Sequence, residues 1–169
     1  FVWLSLASTD ARVNAGKRTS PGFLFATLLW HEALAAWEAR KQNNEPPIPA
    51  LHAAMDEVLD IQGGKLAITR RIAADIKDIW ILQPRLENRA GRRPLRVIEQ
   101  PRFRAGYDFL LLRAESGELD RELADWWRDF IEADTEARLA MLTPEKKSVR
   151  RRRRRGKGGG EGAGPDIGA

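Results

Sequence analysis

The stretch Leu66–Glu87, LAITRRIAADIKDIWILQPRLE, decides the fold class. Ile72, Ile76 and Ile79 recur in it four and three residues apart, and Leu86 continues the row. That is the spacing of one helical face, not the alternation of a strand. The helix is predicted to begin near Thr69. Pro84 lies inside the pattern, where it removes a backbone donor and crowds the preceding turn, so a kink or an early end is predicted there.

Outward from this stretch the same period holds. Ser20 followed by Pro21 reads as an N-cap and a first helical residue, and Phe25, Leu28, Leu29, Trp30, Leu34 and Trp37 recur to about Lys41, before Asn43-Asn44 and Pro46-Pro47. A second helix, from about Pro49 to Ile61, is predicted to bury Leu51, Ala54, Met55, Val58 and Leu59 and to stop at Gly63-Gly64. Beyond the central helix, Pro94–Ile98 predicts a short helix and Pro101 opens another through Arg113. Leu119 to about Leu139 predicts the last, with Leu123, Trp126, Trp127, Phe130 and Ile131 facing inward. No alternating strand is found. The fold class is therefore all-α, an irregular helical bundle. Periodicity stops after Leu142. Residues 143–169 are rich in Arg and Gly with almost no apolar side chains and cannot offset the entropy of ordering, so a disordered arginine- and glycine-rich tail is expected to follow one helical domain over 1–142.

The chain has 169 residues and no cysteine, which excludes disulfides and thiolate metal sites. The most apolar window, Phe23–Trp37, is interrupted by His31 and Glu32, so no membrane-spanning segment is expected. Phe1-Val2-Trp3-Leu4 offers neither an initiator Met nor basic residues ahead of its apolar run. The chain is expected to be cut from something longer and to carry no signal peptide.

A net charge of +5 conceals a strong division. Lys146, Lys147, Arg150, Arg151, Arg152, Arg153, Arg154, Arg155 and Lys157 face only Glu161 and Asp166, a surplus of seven, whereas residues 1–145 hold 20 basic against 22 acidic side chains. The body is itself polarised. Lys65, Arg70, Arg71, Lys77, Arg85, Arg89, Arg92, Arg93, Arg96, Arg102 and Arg104 fall in one window with only Asp75, Asp78, Glu87 and Glu99, while Arg113 to Glu145 carries four basic and ten acidic residues. Arg70, Lys77 and Arg85, seven and eight apart, stack on one helix face largely opposite the isoleucines. Such a face, with a run of six arginines, suits a phosphate backbone, because guanidinium grips phosphate bidentately and stacks on bases. The tryptophans Trp30, Trp37, Trp80, Trp126 and Trp127 fall on apolar stripes and are read as core rather than as base-stacking platforms.

Enzyme signatures are absent. His31-Glu32 begins like a zinc-protease helix, but Ala35 stands where its second His belongs. His52 and Asp56, four apart, read as a surface or core pair. The glycines around Lys157 follow no strand and put Gly158 where a phosphate loop needs Ser or Thr. Glu118, Asp120 and Glu122 lie two apart and so point away from one another on a helix, which makes them a solvated acidic first turn and not a metal site. No catalytic and no metal-ligating residue is assigned.

The segments Thr9-Asp10-Ala11-Arg12-Val13, PGFLFATLLW (Pro21 to Trp30), MDEVLD (Met55 to Asp60), LAITRRIAADIKDIWILQ (Leu66 to Gln83) and RFRAGYDFLLLRAE (Arg102 to Glu115), the Trp126-Trp127 pair and the arginine-rich end, in this order, resemble the C-terminal part of bacterial poly(A) polymerase. The resemblance covers nearly the whole chain. It implies a parent polynucleotide adenylyltransferase of the nucleotidyltransferase superfamily that adds AMP from ATP to RNA 3′ ends with magnesium, in mRNA polyadenylation and RNA processing. The helical C-terminal part and its arginine-rich tail would hold single-stranded RNA in the bacterial cytoplasm. Two positions depart from the pattern: Thr69 stands where relatives carry proline before the basic pair, and Pro84 interrupts a helix expected to be continuous. The catalytic head and the ATP-selecting neck have no counterpart, and Ser116-Gly117 is in the wrong order for the head's Gly-Ser turn. The resemblance therefore implies an RNA-holding fragment, silent alone and without cofactor, ATP and Mg2+ belonging to the whole enzyme. A free-standing RNA-binding or RNA-chaperone protein remains the alternative, and a tRNA CCA-adding relative ranks below it. A protein partner on the acidic Glu115 to Glu136 region, and the oligomeric state, stay open.

Overall fold

A computed structural model describes residues 20–144 and the single residue Ala7. Its first helix, α1 (Pro21–Gln42), opens on Ser20, whose extended backbone presents its carbonyl to the amides of Phe23 and Leu24; its hydroxyl makes no cap bond. After a short loop in which Asn44 takes a left-handed φ of 63°, α2 (Pro47–Gly63) begins two residues earlier than expected, because Pro47 fits the first helical position as well as Pro49 would. Its predicted apolar row, Leu51, Ala54, Met55, Val58 and Leu59, is buried.

The central helix α3 (Arg70–Glu87) starts where the sequence placed it, with the Thr69 hydroxyl accepting from the Ile72 amide at 3.3 Å. Pro84 does not end it. Interrupting a helix with proline costs about 3 kcal/mol. Leu82 and Leu86, both buried, each recover roughly 1.5–3 kcal/mol by leaving water. The fully buried Gln83 adds a brace, its amide donating to the Ile79 carbonyl (3.0 Å) in its own helix and to the Gly106 carbonyl (3.1 Å) in the next long one.

The short α4 (Arg93–Val97) leads into α5 (Phe103–Glu115). The long terminal helix expected from Leu119 is broken into α6 (Arg121–Glu132) and α7 (Thr135–Met141). Asp134 makes the break by accepting from the Ala137 amide (2.9 Å), and Arg138 reaches back to the carbonyls of Phe130 (2.9 Å) and Ile131 (2.7 Å), satisfying acceptors at the negative end of α6. Among the described residues there are seven helices and no strand beyond one isolated bridge, Ala90 to Thr143. That bridge ties down Thr143, which the sequence assigned to the tail: its carbonyl accepts from the Gly91 amide at 2.9 Å.

Two apolar clusters share α3. The first joins α1, α2 and the first half of α3 around Trp30, Met55, Ile76 and Trp80; the second joins the end of α3 to α4, α5 and α6 around Leu86, Leu110, Trp127 and Phe130. The buried tryptophans are core, as expected, and each finds an acceptor for its indole N–H: Ala26 O for Trp80, Leu86 O for Trp127 and Pro47 O for Trp37. Two glycines permit close helix approach. A Cβ at Gly22 would lie 2.6 Å from Asp75 Cβ, and one at Gly106 would lie 2.7 Å from Leu82 Cδ1.

Candidate nucleic-acid interface

The outward face of α3 carries Arg70, Lys77, Ile81, Pro84, Arg85 and Asn88, since these positions return to one side at 100° per residue. At its C-terminal end this face meets α4 and the first turn of α2. Between them runs a groove of about 450 Å3 lined by Ile48, Ile81, Pro84, Arg85, Asn88, Arg93, Arg96, Val97 and Gln100. Among the described residues no carboxylate lines it. A smaller hollow of about 240 Å3 extends from it, sharing Ile81, Arg85 and Gln100 and adding Asp78, Leu82, Pro101 and Arg102. The groove exists because α4 is a single short turn held against α3 by the buried Pro94 and Val97, which leaves its two arginines on the open side.

The eleven basic residues picked out in the body do not form one uniform surface. Arg85 and Arg96 are exposed at the groove, and neither guanidinium bonds to another described residue. Arg93 joins them there, donating to Asn88 Oδ1 at 2.9 Å. Arg92 is exposed at the start of α4 but outside the groove. Lys65, Arg70 and Arg71 are exposed around the first turn of α3, where no acidic side chain offsets the helix dipole; fifteen residues of rise put them roughly 22 Å from Arg85.

The other four are held by carboxylates. Lys77 pairs with Asp56 and Arg102 with Asp75, Arg104 lies 3.2 Å from Asp108, and Arg89 grips Glu122 through both terminal nitrogens at 2.7 and 3.1 Å. Three of these partners, Asp56, Asp108 and Glu122, lie outside the window in which charges were counted. Folding delivers Asp56 and Glu122 from distant helices, whereas Asp108 lies one turn after Arg104 on the same helix. Lys146, Lys147, Arg150 to Arg155 and Lys157 fall outside the described residues.

On the far side of the α3–α4 turn lies a larger pocket, about 700 Å3, lined by Pro84, Glu87, Asn88, Arg89, Ala90, Glu122, Trp126 and Thr143. It is electrically neutralised. Arg89 sits 5.3 Å from the centre of the half-buried Trp126 ring while paired with Glu122, and this hydrogen bond holds the Glu122 carboxyl below its ordinary pKa of 4.5.

Sequence reading missed Arg113. It is 3% exposed, with Nε on Glu118 (2.8 Å), Nη1 on Glu87 (2.8 Å) and Gln83 (3.2 Å), and its guanidinium 4.8 Å from the Trp30 ring centre. The signal was its place one turn beyond Phe109 and Leu110 on the inner face of α5. Glu118 is corrected with it: not a solvated first-turn acid, it accepts the Trp30 indole N–H at 2.9 Å. The acidic C-terminal region is likewise partly spent, since Arg128 pairs with Asp125 and Asp129. His52 and Asp56 are both exposed, and the partner of Asp56 is Lys77. Among the described residues no group of three His, Asp or Glu gathers to hold a metal ion, and no helix is long and apolar enough to cross a membrane.

Comparison with known proteins adds an independent finding. A family described as the polymerase A arginine-rich C-terminus matches residues 43–158. The chain is 38% identical over 153 residues to poly(A) polymerase I of Escherichia coli O6:H1, a match covering 87% of this chain and 33% of that protein. It is 40% identical over 148 residues to poly(A) polymerase I of Haemophilus influenzae, covering 85% and 32%, and 39% identical over 129 residues to that of Salmonella typhi, covering 74% and 28%. The matched part spans about a third of the length of these relatives.

Proposed function

Since the chain belongs to the family of the polymerase A arginine-rich C-terminus, the C-terminal region of bacterial poly(A) polymerases, we propose that it is the part that holds RNA while the rest of the enzyme adds AMP from ATP to the 3′ end. The observation that carries this reading is the groove with Arg85, Arg93 and Arg96 at its rim and no carboxylate among the described residues that line it. A phosphate backbone laid along it exchanges condensed counterions for guanidinium contacts. Those contacts position the strand without reading its sequence. Residues 150–155 add six further cations and raise the local concentration of RNA. ATP, magnesium and the bond-making carboxylates belong to the remainder of the enzyme, and a bacterial cytoplasmic setting comes with the family.

The test is RNA affinity against salt concentration for the whole chain and for a truncation after Pro144, which keeps the Thr143 bridge. Each phosphate contacted on a single strand contributes about −0.7 to the log–log slope. The whole chain is expected to show the steeper slope, with a measurable slope left in the truncated body. A body without RNA affinity would assign holding to the tail alone, and the absence of binding by either protein would overturn the proposal.

A further inference from the structure

A surface that only held phosphates would need no apolar floor, and this groove has one. The half-buried Ile81 and Pro84 form it, and Ile48, 45% exposed, extends it from the neighbouring helix. Keeping these side chains in water is unfavourable by roughly 25 cal/mol per Å2 of apolar area, so the floor favours a flat apolar occupant. The rim selects an anionic one, because Arg85 and Arg96 stand exposed at the groove and no carboxylate among the described residues borders it. Its volume, about 450 Å3, lies within the roughly 300–1,000 Å3 of small-molecule sites, room for one nucleotide and far too little for a duplex. Two amides among its lining residues have one function each with no partner among the described residues. Asn88 Oδ1 already accepts from Arg93 and from the Ala90 amide, leaving its N–H groups, and Gln100 Nε2 donates to the Arg96 carbonyl, leaving its oxygen. A donor and an acceptor beside an apolar floor match the edge and face of a nucleobase.

We propose that the groove between α3 and α4 seats one unpaired base of an RNA strand, its face on Ile81, Pro84 and Ile48 and its flanking phosphates on Arg85 and Arg96. This rests on the RNA-holding reading and goes beyond it: bases, and not phosphates alone, contribute to affinity, and a base already paired in a duplex cannot enter.

The probes are a short fluorescein-labelled single-stranded RNA, the same strand made abasic throughout, and its duplex, each titrated by anisotropy into the whole chain. Covering the aliphatic floor with one base face takes on the order of 40 Å2 of apolar surface out of water, worth about fivefold in affinity, so the abasic strand and the duplex are both expected to bind about fivefold more weakly than the normal strand. Ile81→Ser, and independently the exposed Ile48→Ser, which carries little folding risk, are expected to shrink the normal-to-abasic ratio while leaving the salt slope unchanged. Equal affinity for normal and abasic strands, or for strand and duplex, would overturn the base seat and leave the RNA-holding reading standing. Failure of every probe to bind would overturn that reading itself.

Discussion

On the inward side of the last two turns of α3, Gln83 and Glu87 meet the buried Arg113, which Glu118 also grips and Trp30 covers. On the outward side of the same turns, Arg85 stands exposed over Ile81 and Pro84 with no partner among the described residues. Residue type does not separate these two arginines; the difference lies in what the other helices deliver. α5 and the turn after it bring the inner guanidinium within reach of two carboxylates, whereas α4 brings two more arginines to the outer one. A buried guanidinium must be paired, because desolvation without a counterion is unaffordable in a fold of marginal stability. An exposed one is under no such requirement and stays open to a mobile anion. The same helix thus fastens the bundle with one face and leaves a cation exposed on the other.

The comparison is broken most severely at Arg113. Arg113→Met leaves Glu118 and Glu87 without their cation at the junction of the two clusters, and removing one partner of a buried pair costs about 3–5 kcal/mol. Partial exposure of Glu87 puts the expected loss near the low end, about 3 kcal/mol, read from the chemical denaturation midpoint. The salt slope of RNA binding by the folded fraction should not change. A loss under about 1 kcal/mol would mean that the junction does not depend on its charges.

How much of this was legible beforehand depends on the range of the interaction. The start of α1 at Ser20-Pro21, the row Ile72, Ile76 and Ile79, and the buried row of α2 follow from local period and from proline in the first helical turn, and the structure carries all of them, though without a cap bond from the Ser20 hydroxyl. At Pro84 the local reading left a kink or an early end open; the early end is excluded by the burial of Leu82 and Leu86 and by Gln83 reaching the Gly106 carbonyl, 23 residues away. The break at Asp134 needed Arg138 to find the end of α6, which no periodicity announces. In the site, the basic composition was plain but its division was not. Asp108 lies one turn after Arg104 and was within reach of a local reading; Asp56 for Lys77 and Glu122 for Arg89 stand 21 and 33 residues away. Only folding distinguishes the open arginines from the neutralised ones.

That division sharpens the comparison at the groove. Arg85→Ala with Arg96→Ala removes two open guanidiniums, so the RNA salt slope is expected to flatten by about 1.4, two single-strand phosphate contacts, with the melting temperature essentially unchanged. Lys77→Ala with Arg104→Ala removes the same formal charge from sites already paired and should flatten it less. Equal effects from the two pairs would show that net charge alone governs binding and that the groove has no special place in it.

A smaller effect is expected where the two regimes meet, at Arg89. Glu122→Gln keeps the shape of the 700 Å3 pocket and releases the guanidinium beside Trp126. RNA affinity at low salt should rise about two- to fivefold, and the slope should steepen by up to about 0.7 as one more cation becomes available. An unchanged slope would place Arg89 off the path of the strand.

The smallest effect asks whether the Arg89–Glu122 pair persists in solution. The hydrogen bond from Arg89 is the main reason that the Glu122 carboxyl titrates below 4.5. Its pKa is lowered by folding, so the stabilisation it supplies is present above the unfolded value and is lost as the pH falls through the lower folded one. The window therefore lies just under pH 4.5, and the contribution is slight because both side chains remain in contact with solvent and are screened by salt. Carboxyl NMR titration should find Glu122 below 4.5 in the whole chain, moving up towards 4.5 in Arg89→Ala and partway up on adding salt. If Glu122 titrates at 4.5 with Arg89 in place, the pair is not held, and Arg89 belongs with Arg85 and Arg96 among the cations open to RNA. The boundary between fastening and binding arginines would then run along the inner face of α3 alone.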